Sequence, residues 1–183
     1  LIKDPAPAIK KASVLLEELR QGLRPEAPAK GGIAQQTALR LLNKVPVVYS
    51  ASLHFDAAVR RLRAQFNENA KCLALSNVFP EMNHNEISGW QNPGRMLKHF
   101  AVVMLRDKYM DERVARRMDI TGDLLRKTGV SVSEIWSRGE DLLSRIFSLV
   151  YTGDFISYYL ALLYGVDPAP TKRIDYIKEQ LRQ

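Results

Sequence analysis

The chain has 183 residues, 46% hydrophobic and 26% charged, enough apolar material for one packed domain or two very small ones. Its net charge of +7 suits nucleic acid, an acidic surface or an anionic metabolite, but the basic residues are scattered over 10–11, 60–63, 113–117 and 172–173, so charge alone selects no partner. The single cysteine, Cys72, excludes an internal disulfide and fits a reducing cytoplasm, and three histidines without a close Cys/His pair give no zinc signature.

The chain opens on Leu rather than Met, and "LIKDPAPAIKKA" resembles no signal or transit peptide, so a domain ahead of this one is expected. Ile9, Ala12, Leu15, Leu16 and Leu19 recur at helical spacing until Gly22. A loop, "RPEAPAKGG", leads to a second amphipathic helix, "AQQTALRLLNKV". "PVVYSAS" is a β-branched run after a proline and reads as a buried strand. Phe55, Ala58, Val59, Leu62 and Phe66 then form one stripe, which predicts a helix over 54–68. "KCLALSNV" is the next strand, with Cys72 as a small buried residue inside it. "HFAVVMLRD" has the continuous apolar character of a strand buried on both faces.

Residues 111–128 read as a charged helix with Gly129 at its C-cap, and "VSVSEIWS" as a further strand. "GEDLLSRIFSLVYTGDFISYYLALLYG" is a long helix with a break expected at Gly153, and "APTKRIDYIKEQLRQ" a final one. Arg145 and Asp154 interrupt the longest apolar stretch, so no run approaching ~18 apolar residues is read as a membrane span. Strands alternating with helices predict a single α/β domain over 1–183, a three-layer α/β/α sandwich with a mostly parallel sheet.

No glycine-rich phosphate loop, Ser-His-Asp or Cys-His arrangement is present. What remains is three polar residues in places that structure does not require. Glu68, in "FNENAK", falls at a helix C-terminus, where the helix dipole disfavours a carboxylate and raises its basicity. Taken locally it is a solvated side chain at a fraying end. His84, in "PEMNHNEISGW", lies in a loop between two strands, where α/β folds keep reactive groups, or is simply a surface histidine in a turn. His54, at a helix start, and His99, entering a strand, read more plainly as structural. Lys178 sits on or beside the stripe Ile174, Ile177, Leu181, so it either snorkels to the edge or reaches into a site.

"FNENAK", "PEMNHNEISGW" and "YGVDPAPTKRIDYIKEQL", in that order and at those separations, resemble the C-terminal sugar-isomerase (SIS) domain of the bifunctional phosphoglucose/phosphomannose isomerases. The resemblance runs along the whole chain and is sharp at 65–90 and 164–182. It implies the same α/β/α sandwich and a cofactor-free, metal-free isomerase. The implied substrates are sugar phosphates: glucose 6-phosphate or mannose 6-phosphate is interconverted with fructose 6-phosphate through a cis-enediol. By motif position it places the catalytic base on Glu68, the ring-opening histidine on His84 and a further catalytic lysine on Lys178. It also implies an N-terminal SIS domain holding most of the phosphate site, whose "SYSGNT"-like loop is missing here, so the chain by itself is expected to be incomplete. The implied assembly is a cytoplasmic homodimer that shares its histidine across subunits. The alternative is a non-catalytic phosphosugar-binding SIS module. DNA binding through Arg60, Arg61 and Arg63 lacks an aromatic platform or a helix-turn-helix pattern, and neither nucleic acid nor membrane is an expected partner.

Overall fold

The computed structural model describes residues 4–26 and 32–182, so part of the "RPEAPAKGG" loop lies outside the described residues. Helices α1 (Ala6–Leu23) and α2 (Ile33–Leu41) come first. α2 ends earlier than its apolar pattern suggests, because Asn43 takes a left-handed φ of 60°, which Asn tolerates better than most residues. Strand β1 (Val45–Ala51) and one 3-10 turn lead into α3 (Asp56–Glu68), then β2 (Leu75–Phe79). A long connection holds the short helix α4 (Glu86–Gly89) and ends at β3 (Phe100–Arg106). The helices α5 (Glu112–Lys127), α6 (Leu142–Leu163) and α7 (Lys172–Gln180) follow, with β4 (Ser131–Trp136) between the first two.

The four strands form one parallel sheet in the order β2-β1-β3-β4, as expected for strands linked by helical crossovers. Alternation along the strands divides the core. Val48, Ala101, Val103 and Leu105 face one way, into a cluster with Ala38, Leu62, Phe66, Leu149 and Ile156 from α2, α3 and α6. Val47, Tyr49, Val102 and Met104 face the other way and meet Met82, Trp90, Met118 and Leu125 from the β2–β3 connection and α5. The expected three-layer sandwich is therefore present.

Four local expectations change. β2 begins at Leu75, not Lys71, because Lys71 has φ 53° and Leu73 is 70% exposed. Cys72 thus precedes the strand and is half-buried, with Sγ 3.7 Å from the Lys44 carbonyl and burial pushing its thiol up. α6 runs unbroken through Gly153, where a Cβ would lie 3.0 Å from Leu62 Cδ1, so the glycine serves close packing of α3 on α6. α6 is also long and apolar enough to cross a bilayer, with mean hydropathy 1.4 despite Arg145 and Asp154, yet half of that stretch is buried inside this domain as a core helix. Finally, α7 buries no residue: Ile174, Ile177 and Leu181 all face solvent. The stripe that Lys178 was read against has no partner among the described residues.

At the carboxyl end of β3 two charged residues are almost fully buried, Arg106 at 4% and Asp107 at 3% exposure. Arg106 Nη2 donates to Asp119 Oδ1 at 2.7 Å, and its guanidinium lies 5.0 Å from the Trp136 ring centre. Asp107 accepts hydrogen bonds from Ser137 Oγ and Tyr109 N, and pairs with Arg145 Nε at 3.1 Å. Arg145 stacks over Tyr109 at 4.4 Å and donates through Nη1 to the Glu140 carbonyl at 2.8 Å. A buried pair of this kind holds only while both partners remain.

Candidate functional site

Glu68 closes α3, and the turn after it is fastened on both sides. Asn67 Oδ1 accepts from Ala74 N at 3.1 Å, which ties the helix end to the approach of β2. Asn69 Nδ2 donates to Ser157 Oγ on α6 at 2.9 Å, and one turn earlier Gln65 Nε2 donates to Asp154 Oδ1 at 2.7 Å. Burial pushes the Asp154 carboxyl up, while the Gln65 bond pulls it back. Lys71 Nζ donates to the carbonyls of Glu68 and Pro168, at 2.6 and 3.2 Å, and so draws the segment leading into α7 toward the end of α3. Between these ties the Glu68 side chain is exposed and makes no hydrogen bond or ion pair among the described residues. The Lys71 ammonium on the Glu68 carbonyl offsets the negative end of the helix, while the Glu68 carboxylate itself has no ion pair among the described residues.

His84 repeats the arrangement on the other face of the sheet. Met82 anchors its segment in the α5-side core. Asn83 Nδ2 donates to Thr121 Oγ1 on α5 at 3.0 Å; Asn85 Nδ2 donates to Glu81 Oε1 at 2.9 Å, while its Oδ1 caps the Glu86 N–H. The imidazole between them is exposed and makes no hydrogen bond among the described residues. In both stretches the asparagines hold backbone and neighbours in place and leave the middle side chain projecting without a partner.

The structure does not bring the three sequence candidates together within one copy of the chain. α3, with Glu68, packs on the face shared with α6, and the His84 segment packs on the face shared with α5, so the sheet lies between them. Lys178 lies on exposed α7, with Nζ 3.9 Å from Asp175 Oδ1 as its ion pair. Among the described residues no group of His, Cys, Asp and Glu side chains is placed to hold a metal ion.

Sequence reading passed over the residues that fix the His84 segment from below. Tyr49, on β1, donates to Glu86 Oε1 and accepts from Trp90 Nε1 at 3.0 Å; Asn77, on β2, donates to Glu86 Oε2 at 2.7 Å. Burial, followed by the Glu86 charge, pushes the Tyr49 phenol far up, so it remains a donor. The available signal was a tyrosine and an asparagine at otherwise apolar strand positions.

The four-stranded parallel sheet flanked by helices is the fold of the sugar-isomerase (SIS) class of domain. Residues 32–181 match the family described as the bacterial phospho-glucose isomerase C-terminal SIS domain, and the chain belongs to that family. It is similar to the bifunctional phosphoglucose/phosphomannose isomerase of Caldicellulosiruptor bescii, with 43% identity over 92% of this chain and 50% of the relative. It is similar also to that of Aquifex aeolicus, with 36% identity over 92% and 52%. Among solved structures, a glucose-6-phosphate isomerase-like protein from Thermus thermophilus superposes with a TM-score of 0.76 at 27% identity, over 89% of this chain and 54% of that one. The chain thus spans about half the length of the curated relatives it matches.

Proposed function

We propose that this chain is the base-bearing half of an aldose–ketose isomerase acting on glucose 6-phosphate or mannose 6-phosphate and fructose 6-phosphate. The observation that carries the reading is the pair of exposed, unpartnered side chains, Glu68 and His84, held between anchored asparagines in a chain of this family. In this reading His84 moves a proton between the hemiacetal hydroxyl and the ring oxygen, which opens the sugar. Glu68 takes the C2 proton; the electrons of that bond form C1=C2, while those of the C1 carbonyl pass to O1. The O2 hydroxyl proton is transferred to O1 along the cis-enediolate. The same carboxylic acid returns the proton at C1, so the reaction is redox-neutral and ends with the base regenerated. The Lys178 ammonium offsets charge on the developing enediolate.

Because the sheet separates Glu68 from His84, the reading requires two copies, each giving its histidine to the other's site. It assigns the phosphate-binding loop to the remaining half of the relatives' length. The test is Glu68→Gln in the full-length protein. Isomerisation and solvent exchange of the C2 proton should fall by at least about 100-fold, with substrate affinity largely kept. Near-normal exchange in that variant would refute the assignment of Glu68, and exchange absent from the unmodified protein would favour a phosphosugar-binding module instead.

A further inference from the structure

Glu86 lies two residues beyond His84 at the start of α4, a helix of four residues that is too short to hold its shape by its own hydrogen bonds. What holds it is a carboxylate gripped from the sheet. Tyr49 and Asn77 are register partners on neighbouring parallel strands, so their side chains stand side by side on one face. Tyr49 takes one oxygen of Glu86 and Asn77 takes the other. Trp90, which caps α4, returns its indole N–H to the Tyr49 hydroxyl and packs edge-on against Phe100 at 5.6 Å. Both ends of α4 thus converge on one fully buried phenol.

The carboxylate also borders a cavity of about 420 Å³ lined by Val47, Leu75, Trp90, Met96 and Phe100. Each Glu86 oxygen is already held by a donor from the sheet, and the cavity lining is otherwise mostly apolar. The geometry therefore favours a role directed toward the neighbouring segment rather than toward a ligand in the cavity.

We propose that Tyr49 and Asn77 are positioning residues: by gripping Glu86 they set the place from which His84 is presented to the sugar ring. The inference rests on the ring-opening role given to His84 above. It predicts that loosening the grip slows ring opening and leaves substrate affinity alone, since the role given to both residues is to hold Glu86 and not to contact substrate.

The experiment uses the full-length protein in a Glu68→Gln background, where C2 proton transfer is removed and catalysed interconversion of the α and β anomers of glucose 6-phosphate reports ring opening alone. Anomer exchange is followed by magnetisation-transfer NMR, and substrate binding by calorimetry. Adding Tyr49→Phe should slow catalysed anomer exchange by about 10- to 100-fold, the scale of a misplacement near 1 Å, with the dissociation constant changing by less than about 2-fold. Asn77→Leu, which leaves the buried phenol in place, should act in the same direction if Tyr49→Phe compromises folding. Anomer exchange unchanged in both variants, or lost in step with binding, overturns the inference. His84→Asn in the same background separates the two claims. If it abolishes anomer exchange while the grip variants do not, the positioning role fails alone; if it leaves exchange intact, the role of His84 fails and the positioning role with it.

Discussion

Replacing Arg145 with Met tests the claim that the ion pair at the carboxyl end of β3 survives only as a pair. The Arg145 and Asp107 side chains are 14% and 3% exposed, so the lost guanidinium cannot be replaced by bulk water at the carboxylate. Removing one member of a buried pair costs about 3–5 kcal/mol, because the other is left charged and unsolvated. Here Asp107 keeps two donors, Ser137 Oγ and Tyr109 N. The expected loss is therefore lower, about 2–4 kcal/mol, part of it the bond from Nη1 to the Glu140 carbonyl. With a urea m-value of about 2 kcal/mol per M, the unfolding midpoint falls by about 1–2 M. Asp107→Asn added to Arg145→Met removes the stranded charge and should recover more than half of that loss. A single-variant loss below about 1 kcal/mol, or no recovery in the double variant, would show that burial of Asp107 is not what makes the pair matter.

Two further outcomes follow from the same geometry. Asp141 caps α6 by accepting from Ser144 N at 2.9 Å and Ser144 Oγ at 2.6 Å, so Asp141→Ala should cost about 1 kcal/mol in denaturant melts at neutral pH. Those bonds hold its carboxyl below the usual aspartate value of about 3.9, so the cap's contribution is complete above that pH and fades as pH falls through the lower folded value. The gap between the unmodified protein and Asp141→Ala should therefore close in acid; a gap that widened there would reverse the assigned sign. Serines at both Ile174 and Ile177 should change the stability of this chain by less than about 0.5 kcal/mol by thermal melt, because α7 buries nothing here. A larger loss would mean that the stripe is packed within the chain.

The sheet was legible because its central strands carry a β-branched run after a proline and a continuous apolar run, and "PVVYSAS" and "HFAVVMLRD" became β1 and β3 within a residue. β2 was less so: its register depends on the left-handed Lys71 and on Asn67 reaching Ala74 N, and neither leaves a mark in hydropathy. Gly153 was misread for a similar reason, since a glycine that breaks a helix and one that admits Leu62 look alike in sequence. Glu68 and His84 stood out as polar residues without a structural duty, and their surroundings account for that. The grip of Tyr49 and Asn77 on Glu86 joins three distant parts of the chain and no local pattern announces it. The α7 stripe is apolar in sequence, but among the described residues nothing covers it.

The Asn–X–Asn settings have a consequence for how this chain can vary. Hydrogen bonds of the fold run through Asn67, Asn69, Asn83 and Asn85, and among the described residues none runs through the side chains of Glu68 or His84. Mutation at either middle position therefore meets little resistance from folding, whereas mutation at an asparagine disturbs the scaffold directly. Loss of Glu68 or His84 is a change the protein would survive as a folded molecule. If relatives keep either residue, that retention would report selection on what the side chain does rather than on stability.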